Sequence, residues 1–340
     1  MFWRLIVGVS VVVLLCLAMV WQWLQYEVQQ PLDMKQAVHS LTVPAGGNLN
    51  QTLQTLESQG LLPSIWPLKL FAKINKRGHI RAGEYDLKQG DTALDVLIKL
   101  ESGAVKYHQI TFSEGLSVDM WLALLASRDS IRQTKGLDKK SLITTFGITE
   151  NNPEGWFAPE TYSFTQGESD LSVLKQAHIK MKKILADAWR DRAPDLPYKT
   201  PYEALIMASI VEKETGVAIE REAIAGVFVR RLQKPMRLQT DPTVIYGLGS
   251  AYTGNLRRKH LRSASPYNTY RINGLPPTPI TNPGAAAIKA ALHPKAGDAL
   301  YFVAKGNGEH YFSSTLKEHQ RAVQKYQINE RRKNYSSTVR

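Results

Sequence analysis

Two glutamates follow a long apolar segment, a setting in which a carboxyl group can act as an acid at neutral pH. The apolar segment runs from Ala204 to Val211, and Glu212 and Glu214 come directly after it. Residues two apart on an α-helix are separated by about 200° around its axis, so these carboxylates cannot form a catalytic pair. At most one of them is expected to face the interior of the protein.

The apolar spacing favours Glu214 as the buried acid. It shares a helix face with three apolar residues, Met207, Ile210 and Val211. A carboxyl held against such a face has a raised pKa and suits general acid catalysis. Glu212 shares its own face with Leu205 and Ala208, so geometry does not exclude it. The alternative is that both acids form a solvated helix end.

The helix that carries these acids has start and stop signals. Thr200 is a candidate N-cap, Pro201 suits the first helical position, and Glu203 completes a capping box. Gly216 is expected to follow the last helical turn as a left-handed residue. A second helix is predicted from Ile219 to Leu232.

Composition and missing motifs exclude several classes of protein. Of the 340 residues, 43% are hydrophobic and 21% are charged, which is typical of a globular chain. Cys16 is the single cysteine, so no disulfide framework and no thiolate zinc cluster is expected. No G-x-x-x-x-G-K, G-x-G-x-x-G or H-E-x-x-H string occurs, so we expect neither a nucleotide cofactor nor a metal.

The N-terminus predicts a membrane anchor. Residues 5–24 carry no charge, and as a helix they would span about 30 Å, the thickness of a bilayer core. Arg4 precedes this stretch and acidic residues follow it, so the positive-inside rule places residues 1–4 in the cytoplasm and residues 26–340 outside. A cleaved signal peptide is the alternative, but no A-x-A-like site follows the stretch.

The net charge of +13 leaves three classes of partner: nucleic acid, acidic lipid headgroups or an anionic polymer. An external domain disfavours nucleic acid. Two basic runs, Arg257 to Arg262 and Arg331 to Lys333, contribute to the charge. Alternatively, these two runs belong to a solvated face or to a frayed tail and bind no partner.

A weak internal repeat follows the anchor. Short strands near Thr42, Tyr85 and Thr111 each lead through a glycine turn into an amphipathic helix, which predicts small βα modules. A further helix is predicted from Leu171 to Trp189. The sequence therefore predicts four segments after the anchor: a linker at 25–40, the βα module at 41–110, a connecting helical region at 111–199 and a last domain at 200–335.

Long, ordered motifs in the second half of the chain resemble those of the MltG (YceG-like) family of endolytic murein transglycosylases. The motifs run from Met207 to Thr215, Arg237 to Gly247, Ser265 to Tyr270, Gly274 to Pro277, Thr281 to Gly284 and Tyr301 to Val303. The resemblance implies an α+β protein with an N-terminal transmembrane helix. It also implies a LysM-like murein-binding module at residues 41–110 and a lysozyme-like catalytic domain at residues 200–335.

The resemblance further implies an activity and a location. Such a carbon–oxygen lyase cleaves the bond between N-acetylmuramic acid and N-acetylglucosamine in nascent strands, leaves a 1,6-anhydro end and ends strand elongation. It uses no cofactor, sits in the cytoplasmic (inner) membrane and associates with penicillin-binding synthases. Glu214-Thr215 matches the catalytic Glu-Ser pair of lysozyme-like transglycosylases better than Glu212-Lys213 does.

The same resemblance suggests residues around the substrate. It places Gln239, Thr240 and Asp241 along the cleft, where they would hold N-acetyl or hydroxyl groups, and Trp156 and Glu160 at its rim. Alternatively, Asp241 caps a helix that begins at Pro242.

An aromatic and amide set completes the predicted site. Its members are Tyr246, Tyr267, Asn268 and Tyr270. Aromatic rings stack on sugar faces and amides bind hydroxyl groups, so the set suits a carbohydrate; the alternative is that the tyrosines belong to the core.

Two other functions stay open. A muramidase would use water, with Glu160 or Asp241 as the second carboxylate. A non-catalytic scaffold would bind the wall without cutting it, although a glutamate beside an apolar helix face argues against this.

Overall fold

The computed structural model of the protein describes residues 2–329, which form two compact units. The smaller unit extends to His108 and includes Ser163–Glu168, and the larger unit contains the remaining described residues. The basic run Arg331 to Lys333 and the last part of the predicted domain at 200–335 lie outside the described residues. Residues 111–162 and 169–199, predicted as a connecting region, belong to the same unit as residues 200–329.

The smaller unit combines helices with a two-stranded antiparallel sheet. Its elements are α1 (Phe2–Val28), β1 (Val38–Val43), α2 (Leu49–Ser58), α3 (Trp66–Ile74), β2 (Gly83–Lys88) and α4 (Ala93–Ser102). β1 pairs with β2 so that Leu41 lies opposite Tyr85, and both side chains are buried. Buried residues alternate with more accessible ones along β2, so one face of the strand packs against the core.

The predicted βα repeat is confirmed. Three strands, β1, β2 and β3 (Tyr107–Thr111), each lead to a glycine with positive φ and then to a helix. The three glycines are Gly46, Gly90 and Gly115. The helices are α2, α4 and α5 (Val118–Ala126), and each begins at a side-chain N-cap, respectively Asn48, Thr92 and Ser117. The turn and cap residues therefore repeat together, which is why the pattern is visible in the sequence.

The predicted polar linker at residues 25–40 is wrong. α1 continues to Val28, and Val28, Leu32 and Met34 are buried in the core of the smaller unit. The Leu32 N–H donates to the Asp91 carbonyl at 2.8 Å, and the Asp33 N–H donates to the Leu61 carbonyl at 3.1 Å. These three apolar residues therefore fix the segment to the unit, because their side chains are removed from water in its core.

α1 is long and apolar enough to cross a membrane. It has 27 residues, and its best 18-residue window has a mean hydropathy of 2.5. The predicted anchor at residues 5–24 lies inside this helix.

The larger unit is built around one buried helix. Its helices are α5, α6 (Lys139–Phe146), α7 (Asp170–Arg190), α8 (Pro201–Glu214), α9 (Arg221–Gln233), α10 (Asp241–Leu248), α11 (Ala285–Leu292) and α12 (Leu316–Val323). Its strands β5 (Tyr301–Ala304) and β6 (His310–Ser313) form an antiparallel pair. A further strand, β4 (Thr161–Thr165), pairs with β3, and each of these two strands has residues in both units. Helices α7, α9, α10 and α11 pack around α8, whose residues 204–211 are all buried.

The ends of α8 differ from the sequence expectation in two details. Thr200 caps the helix through Glu203 N–H as predicted, but the Glu203 carboxylate accepts from Lys199 N–H instead of completing a capping box. At the other end, the helix stops at Thr215, whose backbone is extended (φ −143°, ψ 136°), rather than in a left-handed turn at Gly216. Buried Thr215 sets this turn, because its hydroxyl accepts from Val217 N–H at 2.9 Å.

Asn282 connects three loops near the end of α8. Its side-chain oxygen accepts from the N–H groups of Gly155 and Phe157 at 3.0 and 3.3 Å, and its amide donates to the Leu116 carbonyl at 3.2 Å. Asn282 is fully buried, so no water can replace these bonds. The side chain therefore holds together segments that are more than 120 residues apart in sequence.

Asn282→Ala should lower the free energy of unfolding by about 2–4 kcal/mol, because it leaves buried N–H groups without an acceptor. Urea denaturation of the detergent-solubilised protein would measure the change. Asn273→Ala is the matched control, since Asn273 is exposed and should lose less than about 0.5 kcal/mol. Equal stability of the two variants would contradict this role of Asn282.

Candidate active site

A cleft of about 590 Å³ opens where α8 ends and α10 begins, entirely within the larger unit. Its lining combines charged, aromatic and aliphatic side chains. The lining residues are Gly115, Ser117, Met120, Lys213, Glu214, Asp241, Pro242, Ile245, Tyr246, Tyr252, Leu256, Ile280 and His310. The cleft thus brings together the end of α8, the start of α10 and loops distant in sequence.

Glu214 is the cleft carboxyl whose pKa is raised. It is partly buried, and its Oε1 accepts a hydrogen bond from the Thr240 hydroxyl. Desolvation raises the pKa of Glu214 to about 7, opposed by the Thr240 hydrogen bond, while the charge of Asp241 raises it further and that of Arg231 lowers it. At neutral pH a substantial fraction of Glu214 therefore carries a proton that it can donate.

Asp241 lies at the cleft and does not cap α10. The helix begins with Asp241 itself, after Thr240, and no side chain forms an N-cap hydrogen bond there. The alternative interpretation of Asp241 as an N-cap before Pro242 is therefore wrong. Its carboxylate instead accepts from the Tyr270 hydroxyl at 2.6 Å, and the Thr240 hydroxyl is used by Glu214. Both side chains serve the cleft rather than the end of the helix.

A cluster of buried threonines fixes the turn that presents Thr240 and Asp241. Thr240 N–H donates to the Thr269 hydroxyl at 3.0 Å, and the Thr243 hydroxyl donates to the Thr240 carbonyl at 2.8 Å. Gln239, just before them, has a left-handed backbone (φ 53°), which is uncommon for a residue with a side chain. Gln239 is exposed and does not line the cleft.

The predicted aromatic and amide set divides into two groups. Tyr246 lines the cleft, its ring meets Tyr267 edge-on at 4.9 Å, and Tyr270 binds Asp241. Asn268 is fully buried, and its amide donates to the carbonyls of Leu261 and Ser263. The structure therefore brings the tyrosines to or beside the cleft and places Asn268 inside the loop.

Trp156 and Glu160 are not among the cleft-lining residues. The Trp156 ring stacks on Tyr202 at 5.9 Å beside the core of the unit. Glu160 is exposed and forms an ion pair with Lys180. The structure does not bring these two side chains to Glu214.

Glu212 has a different environment from Glu214 but is also held by protein. Its Oε2 accepts from Gly284 N–H at 2.9 Å, and Oε1 lies 3.8 Å from the Arg221 guanidinium. Burial raises the pKa of Glu212, which the Gly284 hydrogen bond opposes. The expectation that at most one acid faces the protein interior is therefore wrong, because neighbouring elements surround the end of α8 on more than one side.

His310 is a cleft residue that sequence reasoning missed. Its Nδ1 lies 2.8 Å from the Glu220 carboxylate, which also accepts the His310 backbone N–H at 2.9 Å. Ninety residues separate the two, so no local spacing signals their contact. Gly115 and Ser117, from the turn after β3, and Met120, in the first turn of α5, were missed for the same reason.

Within residues 2–329, no cluster of three or more histidine, cysteine, aspartate or glutamate side chains is arranged to hold a metal ion.

A carboxyl with a pKa near 7 in a cleft can donate a proton at neutral pH, as general acid catalysis requires. Comparison with known proteins identifies the family of the chain. The chain belongs to the YceG-like family, whose model matches residues 41–325.

Named relatives and one solved structure extend this comparison. The chain is 33% identical to the endolytic murein transglycosylase of Bacillus subtilis (strain 168), over 86% of each chain. It is 26% identical to that of Streptococcus pneumoniae (strain D39), over 86% of this chain but 59% of the longer relative. A crystal structure of a yceG-like protein from Listeria monocytogenes, 29% identical, matches 84% of this chain and 98% of its own with a TM-score of 0.54.

Glu214→Gln should stabilise the fold increasingly as pH rises above about 4.5, with the full effect reached above about pH 7. Burial raises the pKa from 4.5 to about 7, so the folded protein is penalised as the carboxyl ionises. Relative to Glu214→Gln, the wild type should be equally stable below pH 4.5, lose on the order of 1–3 kcal/mol between pH 4.5 and about 7, and lose no more above that.

Urea denaturation from pH 4 to pH 9 would test this dependence. Glu222→Gln is the control, because Glu222 is exposed in the same unit and should show no such divergence from the wild type. A constant difference between wild type and Glu214→Gln at every pH would contradict the burial of a titrating carboxyl.

Proposed function

We propose that this protein is a membrane-anchored endolytic murein transglycosylase in which Glu214 is the catalytic acid. The observation that carries the proposal is the position of Glu214 in the cleft, with burial raising its pKa to about 7. Membership of the YceG-like family and the names of two relatives supply the substrate class. The bond cut is that between N-acetylmuramic acid and N-acetylglucosamine.

The first step is proton transfer to the bond that breaks. The Thr240 hydroxyl donates to Oε1 of Glu214, which leaves Oε2 to carry the transferable proton. Protonated Glu214 donates this proton to the glycosidic oxygen, so the N-acetylglucosamine side leaves as an alcohol. The negative charge of Asp241 favours the protonated form of Glu214 before the step.

The second step uses a nucleophile that belongs to the substrate. The Glu214 carboxylate takes the proton of the muramic C6 hydroxyl, and the C6 oxygen bonds to C1, which closes a 1,6-anhydro ring. Glu214 ends protonated, as it began, and no water is consumed. One carboxylate therefore suffices, in contrast to hydrolases that need an acid and a second carboxylate.

The tyrosines and polar groups near Glu214 are proposed to hold the glycan. Tyr246 supplies an aromatic surface in the cleft, and Asp241 with Tyr270 offers hydrogen bonds to sugar hydroxyls. Thr240 positions the acid. In this proposal Gln239 and Asn268 shape the loops that carry these groups, and Trp156 and Glu160 make no direct contact with the reacting sugars.

A water-using muramidase is the second candidate, because Asp241 gives the cleft another carboxylate. Glu160, the other sequence candidate for that role, lies outside the cleft lining and is paired with Lys180. The two reactions differ in their products, since hydrolysis yields a reducing end that is heavier by one water molecule.

Glu214→Gln should lower the rate of murein cleavage by at least the roughly 10²–10⁴-fold typical of a lost general acid, because the amide cannot donate a proton to the leaving oxygen. The rate of the wild type should fall as pH rises through about 7, since the acid must be protonated. Mass spectrometry of the products from purified glycan strands would measure both rate and reaction type.

Glu212→Gln is the matched control, two residues away on the same helix and outside the cleft lining. It should keep most of the activity. Loss of activity in Glu212→Gln alone would reassign the acid, products with added water would support the muramidase, and no products from any form would favour a wall-binding scaffold.

The location follows from α1 and from the substrate. We propose that α1 spans the cytoplasmic membrane with residues 1–4 inside, so that the rest of the chain meets newly made strands beside penicillin-binding synthases. A tether raises the effective concentration of the cleft on nearby strands. The βα module at residues 41–110 is proposed to be LysM-like and to bind murein without cutting it.

A reporter that folds only outside the cytoplasm, fused after Arg340, should be active, because one span with a cytoplasmic N-terminus exports the C-terminus. The protein should also resist extraction with salt and dissolve in detergent. A reporter that works only in the cytoplasm would overturn the topology and the proposed access to murein.

A further inference from the structure

Helix α3 of the smaller unit has an apolar face that no part of the described chain covers. Trp66, Leu70 and Ile74 are 68%, 39% and 51% exposed, and their spacing of four residues places them along one side of the helix. The opposite side is buried in the core of the unit, through Leu68 and Phe71. α3 is therefore apolar on both of its sides.

The location of this face points to a lipid surface. α3 packs beside α1, and the ring of Phe71 stacks on that of Trp21 at 6.4 Å. Trp21 lies near the end of the apolar stretch of α1, six residues before Glu27, which is the first acidic residue after that stretch. The helix that carries the exposed face therefore lies beside the part of α1 expected at a membrane–water boundary.

The charges around the face fit the same surface. Lys69 and Lys73 alternate with the apolar residues, Lys76 follows the helix, and the ammonium of Lys69 lies 5.1 Å from the Trp66 ring. None of the three lysines forms an ion pair with an acidic residue within residues 2–329. Lysines beside tryptophan and leucine suit a helix that lies at an anionic lipid surface.

We infer that α3 lies flat on the membrane that α1 crosses and inserts Trp66, Leu70 and Ile74 below its headgroups. The inference rests on the proposed membrane anchorage by α1. The smaller unit is then held to the bilayer at two places, α1 and α3, rather than by a single tether. Because Trp21 joins the two helices, insertion of one holds the other at the boundary.

The single cysteine allows a direct depth measurement on the full-length protein. In a Cys16→Ser background, Leu70→Cys would carry an environment-sensitive nitrobenzoxadiazole label in liposomes of phosphatidylcholine and phosphatidylglycerol. Ile98→Cys is the matched control, because Ile98 is 46% exposed on α4 of the same unit. The wild type labelled at Cys16 reports separately on α1.

The label at position 70 should be quenched by lipids brominated on their acyl chains and protected from aqueous iodide, and the label at position 98 should show the reverse. Quenching of Cys16 without quenching at position 70 overturns the inference and leaves the anchorage intact. Quenching of the label at position 70 by iodide would also overturn the inference, and it would indicate that the apolar face of α3 binds a protein partner instead of lipid. If neither the label at Cys16 nor the label at position 70 is quenched by the lipids, the anchorage and the inference are overturned together.

Discussion

The burial of α8 on all sides is the constraint on which the larger unit depends. Eight successive residues, Ala204 to Val211, are buried, and each large side chain among them contributes about 1.5–3 kcal/mol when removed from water. A helix with no solvated face must be surrounded, and α7, α9, α10 and α11 provide that cover. The cleft lies where this cover ends, so the most buried helix delivers the acid to the open site.

At the end of α8, the burial that raises the pKa of Glu214 also lowers the stability of the fold. Burying Glu214 raises its pKa and makes it a donor, yet an ionised carboxyl there destabilises the fold. The Thr240 hydroxyl offsets part of this cost, and Tyr270 holds the neighbouring charge of Asp241. The buried threonines and the left-handed Gln239 belong to the same compromise, because they force the chain to present these groups.

The βα pattern has different roles in the two units. In the smaller unit the repeated strand, glycine turn and capped helix form a compact core that includes the continuation of α1. In the larger unit the third copy contributes its turn, Gly115 and Ser117, to the lining of the cleft. The same local pattern can therefore build a core or supply a site, according to what packs against it.

The sequence by itself determined the features that local chemistry controls. Four such features depend on residues a few positions apart and could be predicted from the sequence. They are the apolar run of α1, the βα repeat, the Thr200 cap and the apolar face behind Glu214. The tertiary structure alone decided the contacts across long separations: Asn282 with Gly155, Glu220 with His310, and Asp241 with Tyr270 rather than with its own helix. It also buried Val28 and Leu32 in the core and held Glu212 as firmly as Glu214. Periodicity reports which side of an element is apolar, but only packing specifies which distant group meets that side.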